Sequence, residues 1–297
     1  MNSKQWGLFL LSIFTFQLAQ AQALSSEDNT TSHYAELRAE ATFTKHFNVR
    51  NQSIHLYFGE EIFSRPFEST YSQLDASTSN NPQYFRRSYT TVGVSYAPIS
   101  HLRLGAQYTL KILGNKFTAS DGTSNSANEF LRHRATFFVT GSYTYEDWKF
   151  SLRERLDANF RTDSVNLHEK PQTELYLRHK IQAQYSIPGK PVKVYTYVEL
   201  WNTLNQPTKY LNTYAGIDKN GAATAYAGKT FGQYLSQVRA QIGVSWRIDR
   251  TNSLGFAYRY TYGYSRDINI TRNKSNIELT NARSHGHYLV ISYDLDW

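Results

Sequence analysis

The amino-acid sequence predicts an all-β fold, a transmembrane antiparallel β-barrel of about 10–12 strands with short periplasmic turns and long extracellular loops. Three observations predict it. Segments of about ten residues or more alternate between apolar and polar side chains, as a tilted membrane crossing requires. Short and long connections follow one another in turn. The mean hydropathy is only −0.56 although 15% of the residues are aromatic, which suits strands that expose only alternate residues to lipid.

Other fold classes fit the chain less well. No apolar run after residue 21 is long enough for a transmembrane helix, so helical membrane proteins are excluded. A secreted β-sandwich also alternates, but its strands are shorter. The net charge of +8 favours anionic lipid or small anionic solutes as partners, and nucleic acid is not expected for a secreted chain.

The N-terminus is predicted to be a secretory signal peptide. Lys4 is the only charge before the largely apolar run 8–18, and small residues at Ala21 and Ala23 fit a cleavage site after either. We therefore predict a signal peptide over residues 1–21, a short N-terminal segment over 22–32 and the barrel over 33–297. The chain has no cysteine, which excludes disulfides and thiolate metal sites.

Each strand is predicted from its alternation. Leu102–Ile112 carries apolar or aromatic residues at even positions and polar residues or glycine at odd positions, and Leu254–Tyr264 repeats this pattern. The other predicted strands are Ala35–Phe43, Ile54–Ile62, Tyr89–Tyr96, Leu131–Tyr145, Trp148–Arg161, Leu175–Ile187, Val192–Leu200, Val238–Ile248 and Tyr288–Trp297. Predicted long loops rich in Asn, Ser, Thr and Gly are Ser64–Tyr84, Gly114–Glu129, Thr162–Thr173, Asn202–Phe231 and Asp267–Ser284.

The strand count is a difficulty. These segments number about eleven, whereas single-chain bacterial barrels normally have an even number. Either the polar segment 22–32 pairs as a twelfth strand, or Ala35–Phe43 is not a full barrel strand and ten remain. We favour twelve.

The last strand predicts both location and assembly. Tyr293, Leu295 and Trp297 share the outward face of a strand that ends on an aromatic residue. Outer-membrane barrels often end in this way, and the barrel-assembly machinery is thought to read the signal. We expect a monomer in the cell outer membrane of a Gram-negative bacterium, surrounded by outer-membrane lipids.

The alternation of odd and even positions along each strand (their parity) places most charged side chains on the lumen face. This is expected, because a charge facing hydrocarbon is costly. Basic groups outnumber acidic ones there. Two interpretations stay open: a narrow wet pore that favours anions, or a lumen filled by Arg and Glu side chains that pair across it, which we favour for a barrel of this size. The basic residues are Arg38, Arg87, Arg103, Lys111, Arg132, Arg134, Lys149, Arg153, Arg155, Arg161, Arg178, Lys180, Lys193, Arg239, Arg247 and Arg259; the acidic residues are Glu36, Glu40, Glu61, Asp157, Glu199, Asp294 and Asp296.

Three polar residues break the alternation, because Glu154, His179 and His133 fall on the lipid-facing parity. Glu154 and His179 lie on consecutive strands, at heights that allow them to pair. A β-bulge that turns them inward or water near the interface would explain them without a function. The alternative is a polar patch on the wall that binds a lipid headgroup or a partner protein.

Catalysis is not expected. Ser284-His285-Gly286-His287 and the Ser-His pairs at 32–33 and 100–101 are the candidates for a lipid-modifying enzyme, but sequence neighbours on a strand point to opposite faces. His285 and His287 share a parity, which is a weak metal signal. We predict no metal and no cofactor.

The chain resembles an uncharacterised outer-membrane barrel family, known mostly from Bacteroidetes-type bacteria and catalogued as a domain of unknown function, number twenty-four-ninety. A repeated phrase carries the resemblance: an Arg-bearing strand, a connection, then a strand with an aromatic and a charged residue. It occurs as Leu131–Arg134 with Trp148–Arg155, Leu177–Lys180 with Tyr197–Trp201, and Gln237–Arg239 with Leu254–Tyr260. The resemblance implies a porin-like barrel and brings no catalytic residues with it.

The sequence thus predicts an outer-membrane barrel that acts as a narrow channel or as a structural envelope barrel with a basic lumen. A lipid-modifying enzyme and a subunit of a larger envelope complex remain as alternatives. The sequence names no solute, lipid or protein partner.

Overall fold

A computed structural model describes residues 29–49, 52–72, 77–80, 83–113, 131–161, 173–204, 234–270 and 277–297. The predicted signal peptide lies outside the described residues, as do most of the predicted long loops. Over the described ranges, the regular secondary structure is entirely β-strand, and no helix there is long and apolar enough to cross a membrane. The strands are β1 (Asn29–Val49), β2 (Gln52–Ser72), β3 (Ser77–Asn80), β4 (Gln83–Ile99), β5 (Leu102–Leu113), β6 (Leu131–Tyr145), β7 (Trp148–Arg161), β8 (Thr173–Ser186), β9 (Val192–Thr203), β10 (Tyr234–Arg247), β11 (Asn252–Ile270) and β12 (Ile277–Asp296).

The sheet closes into a barrel of eleven strands. Each strand of the ring pairs antiparallel with the next, with β2 pairing directly with β4, and β1 closes the ring by pairing with β12. The short β3 pairs only with the end of β2 and takes no part in the ring. Closure removes every free sheet edge, which is what a sheet in lipid requires.

The closing pair is parallel, with its register running from Asn29↔Asn281 to Thr44↔Asp296. The preference for twelve strands is therefore wrong, and this barrel does not follow the expectation of an even number. The first and last strands run in the same direction, and a parallel ladder satisfies their backbone groups without a further strand. The N–H of Trp297 donates to the carbonyl of Thr44 (3.0 Å), and the N–H of His46 donates to the carbonyl of Trp297 (2.9 Å).

The two faces of the wall differ as alternation predicts. Outward side chains are apolar and exposed, as for Phe137 (63%), Leu289 (59%) and Ile242 (58%), whereas inward Thr109 and Thr261 are fully buried. Exposed aromatic residues cluster where β6 and β7 meet their turn, at Tyr143, Tyr145, Trp148 and Phe150, as in an interfacial girdle. An apolar band of this extent requires hydrocarbon as its solvent.

Several strands are longer than predicted. β2 and β4 continue into the predicted loop 64–84, β11 and β12 continue into the predicted loop 267–284, and β1 begins inside the predicted segment 22–32. These stretches are rich in Ser, Thr, Asn and charged residues, so they lack the regular alternation that marks a membrane crossing. Backbone pairing continues there because water can solvate both faces.

Short turns connect the strands at one end of the barrel, which we call the turn end. We call the opposite end the loop end. In one turn, Asp249 Oδ1 accepts the backbone N–H groups of Thr251 and Asn252, each at 2.8 Å. These hydrogen bonds to the ionised carboxylate lower the pKa of Asp249 to about 2.

Candidate functional site in the barrel lumen

The candidate site is the set of inward side chains that meet inside the barrel. Arg87 on β4 reaches Glu36 on β1 across β2, with Nη2 3.0 Å from Oε2. Lys111 on β5 reaches Asn159 on β7 across β6, with Nζ 2.5 Å from Oδ1. Side chains that bridge strands in this way must lie on the concave face, because side chains on the convex face diverge.

The first group is centred on Glu36, which is 1% exposed. Arg65 donates from Nε to its Oε1 (2.8 Å), and Arg65 Nη1 also reaches Glu68 at 2.7 Å. The Arg65 guanidinium lies 3.9 Å from the ring centroid of Tyr34, a cation–π contact. The hydroxyls of Tyr34 and Tyr288 share a hydrogen bond of 2.9 Å.

Arg65 is the residue that the sequence analysis missed. It follows Phe63 on β2, where the register with β1 shifts at Ala35/Leu37. The resulting bulge turns the Arg65 side chain onto the carboxylate of Glu36. The predicted strand ends at Ile62, but the inward parity continues through Phe63 to Arg65.

The second group is centred on Asp157, whose side chain is fully buried. Its Oδ1 accepts hydrogen bonds from Arg155 Nε (2.8 Å) and Thr136 Oγ1 (2.6 Å). Its Oδ2 accepts from Arg178 Nη1 (2.9 Å), and Arg134 Nη1 lies 3.9 Å away. One carboxylate thus faces three guanidinium groups, which is consistent with the basic excess that the sequence predicts.

Arg178 joins the Asp157 group to Glu199. Its Nη2 donates to Glu199 Oε1 at 2.6 Å, and its guanidinium lies 3.7 Å from the centroid of the Trp201 ring. Glu199 Oε2 accepts Trp201 Nε1 at 2.8 Å and lies 3.4 Å from Arg239 Nη1. Trp201 was not singled out as a lumen residue from the sequence, because the predicted strand ends at Leu200, whereas β9 continues to Thr203.

A third group lies beside the β1–β12 seam. Arg38 contacts Glu40 through Nε (2.6 Å) and Glu61 through Nη2 (2.8 Å). Arg259 Nη2 lies 3.8 Å from Glu40, and Arg259 Nε donates to Gln241 Oε1 at 2.7 Å. The five predicted acidic lumen residues Glu36, Glu40, Glu61, Asp157 and Glu199 therefore all contact arginines.

Four members of the predicted basic cluster are placed differently. Arg103 is exposed at the turn end. No described carboxylate lies within 4 Å of Arg103, Arg132, Arg153 or Lys180. Arg132 lies near the loop end, and the Nε atom of its guanidinium has no hydrogen-bond partner.

A cavity of about 620 Å³ lies below these groups, toward the turn end. Its lining runs on β8 from Arg178 down to Gln184, a height of about 15 Å for a strand tilted by about 40°. Eight basic and four acidic side chains line it. At the turn end the lining includes Lys193, Asp294 and Asp296.

The Glu154–His179 pair lies on the outer wall, and the structure brings its members together. The two residues are directly opposed in the β7–β8 register, and His179 Nδ1 contacts Glu154 Oε2. The register runs unbroken through this position, so no bulge turns them inward. His179 is only 5% exposed, and its Nε2 has no hydrogen-bond partner among the described residues.

The histidines weighed for catalysis contact tyrosines. His285 Nδ1 lies 2.8 Å from the Tyr260 hydroxyl, and His287 Nδ1 lies 2.7 Å from the Tyr258 hydroxyl. Among the described residues, no group of three or more His, Asp or Glu side chains converges as a metal site would require.

The family described as "Protein of unknown function (DUF2490)" matches residues 68–272 of the chain. Among solved structures, a NanC porin is 10% identical, with 76% of this chain and 86% of that chain covered at a TM-score of 0.35. The outer-membrane OmpT of Vibrio cholerae is 12% identical, with 89% and 97% covered at a TM-score of 0.36. No curated protein matches the chain.

Proposed function

Because the chain belongs to DUF2490, a family of proteins of unknown function, we propose its role from the barrel itself. The protein is an outer-membrane barrel whose lumen is closed toward the loop end by buried arginine–carboxylate groups and widens into a basic vestibule at the turn end. In this role it is a closed envelope barrel and not an open diffusion pore. The vestibule is the cavity of about 620 Å³ described above.

The full burial of Asp157 supports this proposal most directly. Asp157 lies nine residues along β7 from Trp148 at the turn, and a membrane crossing takes about 9–11 residues. On other strands the inward side chains of Glu36, Thr109, Thr136 and Thr261 are also 0–1% exposed. A water-filled channel would expose inward polar side chains, so their burial favours a filled lumen.

The size of the ring agrees with this inference. About eight strands leave room only for side chains, whereas about sixteen leave an aqueous channel. Eleven strands lie between these limits, and the arginine side chains are long enough to span the difference. The lumen is therefore closed by charged side chains that satisfy one another.

Planar-bilayer conductance tests the proposal. The wild-type barrel should give no stable current steps, and a variant in which Asp157, Arg155 and Arg178 are all changed to Ala should conduct anions, because it removes both charges and bulk from the closure. A matched Arg103→Ala/Lys149→Ala variant at the turn end should stay closed. Stable wild-type steps would refute closure, and cation selectivity in the opened variant would refute a basic lumen.

A second candidate, a subunit of a larger envelope complex, is favoured by the Glu154–His179 pair. A glutamate and a histidine on the hydrocarbon-facing wall are costly in an isolated barrel. Photo-crosslinking from Val139, the exposed neighbour of Glu154 on β6, tests this in native outer membranes. A discrete adduct that is lost in Glu154→Leu/His179→Leu would support it, and lipid adducts alone would refute it.

A further inference from the structure

We propose that the vestibule is a binding site for a small solute that carries at least two negative charges on phosphate or carboxylate oxygens, held between Arg153 and Lys180. The inference rests on the proposed function only in that the site lies below the closure. Neither the family match nor the fold assigns a ligand to this cavity.

The cavity has the dimensions of a solute site. Ligand pockets commonly measure about 300–1,000 Å³, and this one measures about 620 Å³. It extends to the turn end, where Lys193 and Asp296 contribute to the lining. A solute would therefore enter from the periplasm and meet the closure above.

The charges of the vestibule are not balanced by its own carboxylates. Glu199 is engaged by Arg178 and Arg239, and Glu40 is engaged by Arg38. No described carboxylate lies within 4 Å of Arg153 or Lys180, whose side chains both line the cavity.

Arg153 and Lys180 are direct cross-strand partners in the β7–β8 register. Like charges in directly opposed positions destabilise a sheet unless a counter-charge lies between them. Lys180 is also directly opposite Glu199 in the β8–β9 register, but Arg178 and Arg239 engage that carboxylate. Two neighbouring cations with no described carboxylate within 4 Å are thus an arrangement that an oxyanion would stabilise.

Both cations are held in place by neutral contacts. Arg153 donates from Nε to Thr140 Oγ1 at 3.0 Å, so the terminal Nη groups remain as a fork suited to two oxygens. Lys180 Nζ lies 3.9 Å from the centroid of the Tyr197 ring. This preorganisation lowers the entropy that binding must overcome.

A neutral donor lies in the same cavity. The Tyr195 hydroxyl accepts Gln241 Nε2 at 3.1 Å, so its own O–H is available to donate. Tyr195 lines the cavity together with Gln182. The acidic pair Asp294 and Asp296 lies on β12, several strands away around the ring, so negative charge is favoured on the β7–β8 side.

Isothermal titration of the full chain in a neutral detergent at low ionic strength, with inorganic pyrophosphate and separately with citrate, tests the inference. Saturable binding at one site should appear for at least one probe, and the stronger probe identifies phosphate or carboxylate chemistry. Arg153→Gln/Lys180→Gln should weaken binding by about tenfold or more, since two charge-assisted contacts are lost. The absence of saturable binding to both probes would overturn the proposal.

Arg103→Gln/Lys149→Gln is the matched control, because it removes the same charge from residues outside the cavity lining. It should leave binding unchanged, and an equal loss in the control would show only a net-charge effect and would overturn the site. Folding of each variant is checked by its heat-modifiable migration in gels. If the double variant fails to fold, the single variant Arg153→Lys takes its place in the titration, and it should retain most of the binding because it keeps the charge. Binding by a conducting barrel would refute closure but keep the site, whereas a closed barrel that binds neither probe would refute the site alone.

Discussion

Asp157 is the residue whose loss should destabilise the barrel most. Replacing it with Ala removes the acceptor of three hydrogen bonds, at 2.6, 2.8 and 2.9 Å, from a fully buried position. Arg178 keeps Glu199 as a partner at 2.6 Å, but Arg155 and Arg134 keep no carboxylate within 4 Å among the described residues. Breaking a buried ion pair on one side costs about 3–5 kcal/mol, so Asp157→Ala should lower the free energy of unfolding by about that amount.

The size of the effect separates charge from packing. In Asp157→Ala/Arg155→Ala the orphaned guanidinium is also removed, so the double variant should be more stable than Asp157→Ala alone, with a coupling of at least about 1 kcal/mol. Equilibrium unfolding in urea with detergent micelles measures both variants. Asp147→Ala in an exposed turn is the control and should change stability by less than about 0.5 kcal/mol. Additive losses in the double variant would refute the argument that Asp157 balances Arg155.

Three further predictions concern the wall, the seam and the glycines. Glu154→Leu/His179→Leu should raise the free energy of unfolding in micelles by about 1–4 kcal/mol relative to wild type. His179→Leu alone should lower it, because it leaves the Glu154 carboxylate without its partner. A lower free energy of unfolding for the double variant would contradict this. Trp297→Ala keeps the backbone hydrogen bonds of the seam to Thr44 and His46 but should lower the amount of barrel in the outer-membrane fraction. Trp246→Ala, which changes another exposed outward tryptophan, should not lower it. An equal loss in both variants would argue against a specific assembly signal. Gly286→Ala should lower the free energy of unfolding by about 1–3 kcal/mol through overpacking, because the added Cβ overlaps the ring of Tyr34, whose hydroxyl is hydrogen-bonded to Tyr288. Gly141→Ala, whose Cβ would meet no described atom within 4 Å, should be neutral in the same unfolding assay.

Much of the fold follows from local alternation. Leu102–Ile112 and Leu254–Tyr264 were predicted as strands with the correct outward faces, because lipid and lumen impose opposite polarity on successive residues. The strand ends were harder to predict. β2 runs to Ser72 and β11 to Ile270, and these polar extensions have the composition of loops although they pair like strands.

The candidate site was predicted only as a set of inward charges. Parity placed Asp157, Arg178 and Glu199 on the inner face, but it does not say which arginine each carboxylate meets. Arg65 has the same inward parity as Phe63 but lies beyond Ile62, where the predicted strand ends, and the bulge that sets it opposite Glu36 depends on the pairing with β1. The contact between Glu154 and His179 was predictable, since a single connection joins β7 to β8 and their register follows from it.

The sequence by itself determined the class of the protein and the lipid-facing side of the predicted membrane strands, because these properties depend on residues two positions apart and on the solvent that each face meets. Only the tertiary structure decided the number of strands, the parallel seam between β1 and β12, the pairing of the lumen charges and the vestibule with its unpaired Arg153 and Lys180. Those properties depend on how far the strands stagger as the sheet closes, since the stagger sets which side chains from distant strands meet at one height. Alternation along a single strand is the same for every stagger, so no local pattern contains that information.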